Sequence, residues 1–138
     1  MEQFIKKIKL ENLLSFSAPS CEIPLGNLNV LIGPNGSGKS NIIEAISLLQ
    51  ASPKELTEPI RRGGGIRDWL WKGASEIPVA EIEIVVNPLV AGTQNFRYKL
   101  AFTSIGQRFE LADECLENEY PVQGQLEPNS VRYSFCQH

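Results

Sequence analysis

Apolar and polar residues alternate along several stretches of the chain, and a period of two is typical of β-strands with one face in a core. The alternation marks four segments, which are residues 3–10, 80–86, 96–102 and 131–135. Phe109 and Leu111 continue the pattern after a short turn at Ile105 and Gly106. Residues 3–10 are expected to form a strand of the amino-terminal part. The segments after residue 79 each have one polar face, so we expect them to form an antiparallel sheet that is open to water on that side.

The charged residues of these segments have two possible roles, one in the stability of the sheet and one in catalysis. They lie at alternating positions of two neighbouring predicted strands and are of opposite sign; they are Glu81, Glu83, Arg97 and Lys99. Opposite charges that face each other across two strands stabilise a sheet. We therefore interpret them as cross-strand surface pairs and not as an acid and a base.

Residues 28–32 show a different pattern, because they are almost continuously apolar. Such a run is typical of a strand that is buried on both faces. Ile23 is assigned to a preceding strand, and Gly26 with Asn27 predicts a hairpin turn between the two. Residues 28–32 are therefore expected to form a buried strand of the core.

Residues 41–50 change to the spacing of a helix. Ile42, Ile46 and Leu49 share one face of that helix, and Ile43 lies beside them. These apolar residues are expected to belong to the core.

The segment between the apolar strand and this helix fits the phosphate-binding pattern G-x-x-x-x-G-K-[ST]. Its residues are Gly33, Pro34, Asn35, Gly36, Ser37, Gly38, Lys39 and Ser40, and Asn41 follows. A strand, a glycine-rich loop and a helix in this order are the context in which the motif acts as a P-loop. The sequence therefore predicts a nucleotide-binding site that is lined by these nine residues.

The residue types of the loop match the chemistry of a triphosphate. Glycines let the backbone approach an anion closely, and the N–H groups of residues 36–41 are expected to point toward the α- and β-phosphates at the positive end of the helix dipole. Lys39 is expected to reach the β- and γ-phosphates and is the candidate catalytic residue. The Ser40 hydroxyl is the expected Mg²⁺ ligand. The predicted cofactors are therefore ATP and Mg²⁺.

Residues 51–78 predict an irregular segment. Residues 52–55 have the features of a helix start, with a capping serine, a proline at the first position and a glutamate three residues after the cap. The arginine pair at residues 61–62 precedes three glycines and is interpreted as part of a solvated loop, with contact to phosphate, a partner subunit or DNA as open alternatives. Trp69 and Trp71 lie too close to share one helical face, so one of them is expected to be partly exposed, with a partner surface as an alternative.

Composition narrows the class of protein. The chain has 138 residues, of which 42% are hydrophobic and 21% are charged, and this size fits one soluble domain. Its formal net charge of −3 gives no overall basic field for nucleic acid. There is neither an apolar run of about 18 residues nor a secretion signal, and the three cysteines are interpreted as reduced thiols. We expect a cytoplasmic protein that does not contact a membrane.

Residues 5–16 and 28–46 together resemble the N-terminal lobe of ABC-type P-loop ATPases. The closest resemblance is to the SMC and RecF-like group, with its AAA-type "predicted ATPase" relatives. The order of residues 35–41 is similar to this branch, because transporter ATPases usually carry threonine where Asn41 stands. The resemblance implies an α/β fold class (an α+β fragment), with a strand–P-loop–helix core and an antiparallel β-subdomain.

The resemblance also implies one incomplete P-loop ATPase domain over residues 1–138. Its predicted parts are a P-loop core at 1–50, an irregular helical and glycine-rich segment at 51–78, and the β-subdomain at 79–138.

Members of this family need parts that the sequence does not supply convincingly. Their Walker B strand ends in Asp-Glu, and their signature loop, Ser-Gly-Gly-Gln or similar, opens a helix. Residues 109–114 end in Asp-Glu but carry a charge inside the strand, and residues 103–108 imitate the signature loop but lie at a predicted hairpin turn. We interpret both as structural. Gln137 is a candidate Q-loop glutamine, and His138 lacks the strand that should precede a switch histidine.

The resemblance therefore implies ATP binding by a first lobe, with hydrolysis only in the complete head. The implied partners are the missing C-terminal lobe or a second head, and DNA during repair, chromosome maintenance or defence. Two alternatives stay open: a non-catalytic nucleotide-binding module, and a small P-loop kinase with residues 61–62 in its lid. A guanine-specific site is not expected, because the sequence has no Asn-Lys-x-Asp motif.

Overall fold

The computed structural model describes residues 3–52, 54–126 and the backbone of residues 130–132. Its main feature is a six-stranded sheet with the order β2-β1-β3-β4-β5-β6, in which every neighbouring pair is antiparallel. The strands are β1 (Ile5–Glu11), β2 (Cys21–Pro24), β3 (Ala80–Val86), β4 (Phe96–Ile105), β5 (Arg108–Asn118) and β6 (Ser130–Arg132). The predicted antiparallel sheet is confirmed, and it also includes the two amino-terminal strands.

Strands β4 and β5 form a long hairpin. Its connection turns at Gly106, where φ is 65°, a left-handed value that favours glycine. The predicted turn at Ile105 and Gly106 is therefore confirmed. Because residues 103–108 lie in this hairpin and open no helix, their interpretation as structural agrees with the fold.

The core lies between one face of the sheet and three helices, α1 (Lys39–Ala51), α2 (Thr57–Arg62) and α3 (Ile66–Trp69). The sheet contributes side chains that are completely buried, which are Ile8, Leu10, Ala80, Ile82, Leu100 and Phe102. The helices contribute buried residues of their own, which are Ala45, Leu48, Ile60, Ile66 and Trp69. Helix α1 is thus fixed to the sheet by its apolar face, which positions the loop that precedes it.

Ion pairs cover the opposite face of the sheet. Lys99 Nζ lies 3.0 Å from a carboxylate oxygen of Glu81 and 3.7 Å from one of Asp113, and Arg97 contacts Glu117. Burial alone would lower the pKa of Lys99, but the hydrogen bond and the charge of Glu81, joined by Asp113, raise it. The predicted cross-strand pairing is confirmed for Lys99 with Glu81, whereas the partner of Arg97 lies on β5.

Residues 28–32 differ from the prediction of a buried strand. They belong to none of the six strands, and the side chains of Leu28, Val30 and Ile32 are 86%, 74% and 91% exposed. A buried strand needs neighbours on both edges and apolar cover on both faces. The described residues supply neither to this segment, so the prediction is wrong for the isolated chain.

The hairpin turn predicted at Gly26 and Asn27 is wrong for the same reason, because no strand follows it. The Asn29 side chain shapes this turn instead. Its carbonyl oxygen accepts from the Gly26 N–H at 2.7 Å, and its amide nitrogen donates to the Gly26 carbonyl oxygen at 2.9 Å.

The buried face of α1 is rotated from the predicted one. Ala45 and Leu48 are completely buried, whereas Ile43 and Ile46 are exposed. Two other residues of the predicted face pack partly buried against the core, and they are Ile42 and Leu49. The apolar residues cover more than one face of the helix, and the sheet covers only the part that is centred on Ala45 and Leu48.

The helix start predicted at residues 52–55 is also wrong. Helix α1 ends at Ala51, and the Ser52 N–H donates to the Leu48 carbonyl oxygen at 3.0 Å. Ser52 is therefore the C-cap of α1, and α2 begins only at Thr57. Pro53 lies outside the described residues.

Several predictions fall on residues that the structure does not describe. These residues are Tyr133 and Phe135 of the last predicted strand, Cys136, Gln137 and His138. Cys21 and Cys115 are reduced cysteines, the first exposed and the second buried. In the described part of the chain, every helix is too short or too polar to cross a membrane.

Candidate nucleotide-binding site

The predicted P-loop forms a compact turn between residues 28–32 and α1. Gly36 and Gly38 have φ values of 84° and 98°, which are left-handed values that favour glycine. Gly33 lies close to Ser37, because an added Cβ would lie 2.7 Å from Ser37 Oγ and the hydroxyl would have to move. The three glycines therefore allow the chain to turn sharply into the helix.

The first turn of α1 carries N–H groups without helical acceptors. The N–H of Ile42 donates to the carbonyl oxygen of Gly38 at 3.2 Å. The N–H groups of Lys39, Ser40 and Asn41 precede it, and helix geometry gives them no carbonyl four residues back. Together with the positive end of the helix dipole, such donors form a favourable environment for an anion.

These groups border a cavity of about 280 Å³ that is lined by residues 35–41. One of the predicted donors is already engaged, because the Ser37 N–H donates to the Pro34 carbonyl oxygen at 3.2 Å. In this conformation the N–H groups that can bind an anion are therefore concentrated at the start of α1.

The Lys39 ammonium group lies inside the loop. It donates to the carbonyl oxygens of Gly33 and Pro34, the second at 3.0 Å. The residue is half-buried, so its charge stays near the cavity. A phosphate oxygen would compete well with these neutral carbonyl acceptors, because hydrogen bonds between two charged groups are stronger.

Ser40 is exposed in the first turn of α1. Mg²⁺ usually keeps several waters and binds few protein oxygens in addition to substrate phosphates. A single hydroxyl beside a phosphate cavity fits that requirement. Among the described residues, no cluster of three or more His, Cys, Asp or Glu side chains could hold a metal ion.

A neighbouring loop supports the P-loop from the side. Asn41 Nδ2 donates to Ser15 Oγ at 2.7 Å, and a Cβ added to Gly38 would lie 3.0 Å from the same oxygen. Sequence reasoning missed Ser15, because residues 15 and 41 meet only after folding and no local pattern links them.

The Asp-Glu pair of β5 lies in structural contacts. Asp113 faces Lys99 at 3.7 Å, and Glu114 accepts a hydrogen bond from the Tyr98 hydroxyl at 2.7 Å. Consecutive strand residues point to opposite faces of the sheet, so the two carboxylates do not act as a pair. This arrangement agrees with the interpretation that they are not a Walker B motif.

A glycine turn that leads into a helix, with free amides and a lysine around one cavity, defines the class of a P-loop nucleotide-binding lobe. The family described as "AAA domain, putative AbiEii toxin, Type IV TA system" matches residues 28–136. The chain belongs to this family.

The chain is similar to short parts of longer proteins. The chromosome partition protein Smc of Mycobacterium tuberculosis is 31% identical over 85 residues, which cover 61% of this chain and 7% of that protein. The DNA double-strand break repair Rad50 ATPase of Methanopyrus kandleri is 50% identical over 44 residues, or 32% of this chain and 5% of that protein. The chain thus spans only a small fraction of the length of these relatives.

A solved structure gives the same fold. It comes from work on ATP-driven dimerization and DNA-stimulated activation of SMC ATPases, and it matches with a TM-score of 0.54 and 24% identity. The match covers 78% of this chain and 72% of the other. The chain is thus similar to SMC and Rad50 ATPases, which agrees with the resemblance to the N-terminal lobe of an ABC-type P-loop ATPase of the SMC and RecF-like group, and the predicted α/β class with an antiparallel β-subdomain is confirmed.

Proposed function

We propose that the chain binds ATP with Mg²⁺ as the first lobe of an SMC- or RecF-like ATPase head. The observation that carries this proposal is the first turn of α1, whose N–H groups and Lys39 meet at the 280 Å³ cavity. The amides hold the α- and β-phosphates, Lys39 binds the β- and γ-phosphate oxygens, and the Ser40 hydroxyl is a ligand of Mg²⁺. The metal ion neutralises charge on the phosphates when it is bound.

In this proposal only the complete head hydrolyses ATP. Asp113 and Glu114, the candidate carboxylates, contact Lys99 and Tyr98. A second lobe supplies the carboxylate that orients the attacking water and the signature loop that contacts the γ-phosphate. The isolated chain therefore binds nucleotide weakly and hydrolyses it poorly.

The exposed segment at residues 28–32 supports a second lobe as partner. Leu28, Val30 and Ile32 are apolar, highly exposed and directly precede the P-loop. Burial of each such side chain favours association by about 1.5–3 kcal/mol. A strand from the second lobe would bury these side chains and pair with the backbone, and it would bring the missing carboxylates next to the phosphates.

The process that uses the ATP cycle is proposed from the relatives. One is a chromosome partition protein and another is a DNA double-strand break repair ATPase. We propose that the complete head acts with a second head on DNA, in repair, chromosome maintenance or defence, inside the cytoplasm.

Equilibrium dialysis with Mg²⁺ and either ATP or GTP tests the binding step. Saturable binding of ATP is expected at millimolar concentration, with little binding of GTP. Lys39→Ala should weaken ATP binding by about tenfold or more, because it removes a charge-assisted bond to phosphate. Lys54→Ala, at an exposed lysine elsewhere, is the matched control and should bind like the wild type. Equal ATP binding by the Lys39→Ala variant contradicts the proposal.

Coexpression with a polypeptide that carries a signature loop and a Walker B strand tests the partner. The two lobes should copurify and hydrolyse ATP, whereas turnover of about 1 s⁻¹ or faster by the chain alone contradicts the proposal. The double variant Val30→Thr with Ile32→Thr should lose copurification. Ile105→Thr changes an equally apolar, exposed residue at a hairpin end and should leave it intact.

The non-catalytic alternative is favoured by the placement of Asp113 and Glu114 away from any shared site. A module of this type would bind ATP and copurify with its partner without any hydrolysis. The coexpression experiment separates the two functions, because only the ATPase head releases phosphate at a rate that depends on Lys39.

A further inference from the structure

We propose that Tyr98 is a positioning residue of the phosphate-binding loop, although it lies at the opposite end of α1. This inference rests on the proposed ATP binding. Tyr98 is the middle member of a chain of hydrogen bonds that runs from Ser52, the C-cap of α1, to Glu114 on β5. The chain fixes the carboxyl-terminal end of α1 to the sheet, and it thereby holds the amides at the other end of the helix in the arrangement that binds a triphosphate.

The P-loop depends on α1 for its position, because the segment before the loop has little support. A P-loop normally lies between a strand of a sheet and a helix. Here residues 28–32 join none of the six strands, and Leu28, Val30 and Ile32 are highly exposed. In the described part of the chain, the helix is therefore the main element that fixes the loop.

Two polar contacts fix α1, one at each end. The helix packs on the sheet through apolar side chains, whose attraction is non-directional. Among the described residues, two side-chain hydrogen bonds join α1 and its C-cap to elements outside the P-loop. One joins Asn41 to Ser15, and the other joins Ser52 Oγ to the Tyr98 hydroxyl at 2.7 Å. Because a helix of 13 residues is about 20 Å long, bonds at its two ends control both its tilt and its rotation.

A β-bulge in β5 brings Glu114 to the helical side of the sheet. Leu111 and Asp113 face consecutive residues of β4, so Ala112 is an extra residue in β5. Strict alternation after Leu111 would place Asp113 on the core side and Glu114 on the opposite side. With the bulge, Glu114 faces Leu100, which is completely buried in the core. The extra residue therefore delivers a carboxylate to the side of the sheet that carries α1.

The direction of each hydrogen bond follows from the chemistry of the groups. A carboxylate only accepts, so the Tyr98 hydroxyl donates its single proton to Glu114 Oε1 at 2.7 Å. The Ser52 hydroxyl then donates to the phenolic oxygen of Tyr98. All three side chains are half-buried, and a bond to a charged acceptor is stronger than one between neutral groups. The chain of bonds is therefore suited to hold the end of α1 in one place.

Loss of the Tyr98 hydroxyl should reach the phosphate site through the population of the binding arrangement. Without it, α1 takes more than one position on the sheet, and only a fraction of the molecules presents the amides correctly. The apparent Kd rises in proportion to the inverse of that fraction. The net contribution of a hydrogen bond corresponds to about a threefold to tenfold change in an equilibrium constant, and this is the expected loss of affinity.

Equilibrium dialysis of the full chain with ATP or with inorganic triphosphate tests this role. Tyr98→Phe removes only the hydroxyl and should weaken both ligands equally, by about threefold to tenfold. Glu114→Gln keeps a carbonyl oxygen that accepts from Tyr98 and should retain most of the affinity, whereas Glu114→Ala should not. Adding Ser52→Ala to Tyr98→Phe should cause no further loss, because both changes remove the same contact.

Two control variants separate positioning from a general loss of stability. Tyr120→Phe removes the hydroxyl of a tyrosine that is 63% exposed, and it should bind both ligands like the wild type. Arg67→Met removes hydrogen bonds to the Gly106 carbonyl oxygen at the β4–β5 turn and should also leave both affinities unchanged. If Arg67→Met weakens the ligands as much as Tyr98→Phe does, the effect is one of stability and the positioning role is overturned.

The other results also decide the question. Undiminished binding by Tyr98→Phe, or weakening of ATP without weakening of triphosphate, overturns the positioning role while the P-loop proposal stands. If neither ligand binds to the wild type, the ATP-binding proposal fails and the positioning role fails with it.

Amide NMR spectra of the chain without ligand give an independent readout. Tyr98→Phe should change the amide shifts of residues 38–41, although these residues lie at the opposite end of a helix about 20 Å long. Glu114→Gln and Arg67→Met should leave those signals close to the wild-type positions. Unchanged signals of residues 38–41 in Tyr98→Phe would overturn the inference.

Discussion

Two segments of this chain are both predicted from sequence to be strands, but they behave differently in the fold. Strand β3 pairs with β1 on one edge and with β4 on the other, and its residues Ala80 and Ile82 are completely buried. Residues 28–32 are also rich in apolar side chains, but in the described part of the chain they have no strand neighbour, and most of these side chains face solvent. The difference shows that strand formation depends on available partners more than on the composition of the segment. Residues 28–32 are therefore the segment at which we propose that a second lobe binds.

The largest difference in the free energy of unfolding is expected between truncation of an apolar residue in the paired sheet and truncation of one in residues 28–32. Phe102→Ala removes a completely buried ring and should lower the free energy of unfolding by about 3–5 kcal/mol. Ile32→Ala, at an exposed site, should change it by no more than about 0.5 kcal/mol. Urea denaturation measures both values. Similar losses for the two variants would mean that residues 28–32 are packed in the isolated chain.

Two glycines outside these segments extend the comparison, one in the P-loop after residues 28–32 and one after β5. Gly38→Ala should destabilise the chain by about 2 kcal/mol, because φ is 98° and the new Cβ would meet Ser15. Gly124 has a similar φ of 90° with no atom within 4 Å of an added Cβ, so Gly124→Ala isolates the backbone strain at about 1 kcal/mol. Only Gly38→Ala should also weaken ATP binding. Unfolding curves and dialysis distinguish the two variants, and equal effects on both measurements would contradict the contact with Ser15.

A side chain from α3 ties the helical segment to the paired part of the sheet. Arg67 donates from Nε and Nη2 to the Gly106 carbonyl oxygen at 3.0 Å and 2.9 Å. Arg67→Met should cost about 1 kcal/mol of stability and speed amide exchange at the β4–β5 turn, with little effect on residues 28–32. Arg67→Lys keeps the charge but loses the two-pronged geometry. Its stability and amide exchange should therefore lie between those of Arg67→Met and the wild type. Unchanged amide exchange at the turn in Arg67→Met would show that this contact does not stabilise the β4–β5 turn.

The smallest expected effect is the pH dependence of the free energy of unfolding that Lys99 causes. Its pKa in the folded chain is raised above the ordinary value, so its stabilising contribution is fully present below about pH 10.4. The contribution is lost as the pH rises through the folded pKa. The difference in unfolding free energy between the wild type and Lys99→Met should therefore shrink above that pH. A difference that stays constant to higher pH would contradict the pairing with Glu81 and Asp113.

Sequence patterns were sufficient where structure is local. The alternation in β3 and β4, the turn at Gly106 and the helix after the P-loop all follow from residues close together in the chain. The patterns were insufficient where the outcome depends on distant neighbours. Ser15 meets Asn41 only in the folded chain, the buried face of α1 is selected by the sheet that covers it, and residues 28–32 lack the partners that their pattern implies. The roles of residues 33–41 in nucleotide binding stay predictions.

The central claim is that the backbone amides at the start of α1, together with Lys39, hold a triphosphate. An NMR titration of the ¹⁵N-labelled chain with ATP and Mg²⁺ tests it most directly. The largest amide shift changes are expected at Gly36, Gly38, Lys39, Ser40 and Asn41, and they should disappear in Lys39→Ala. Shift changes that fall elsewhere in the chain, or that persist unchanged in Lys39→Ala, would contradict the account.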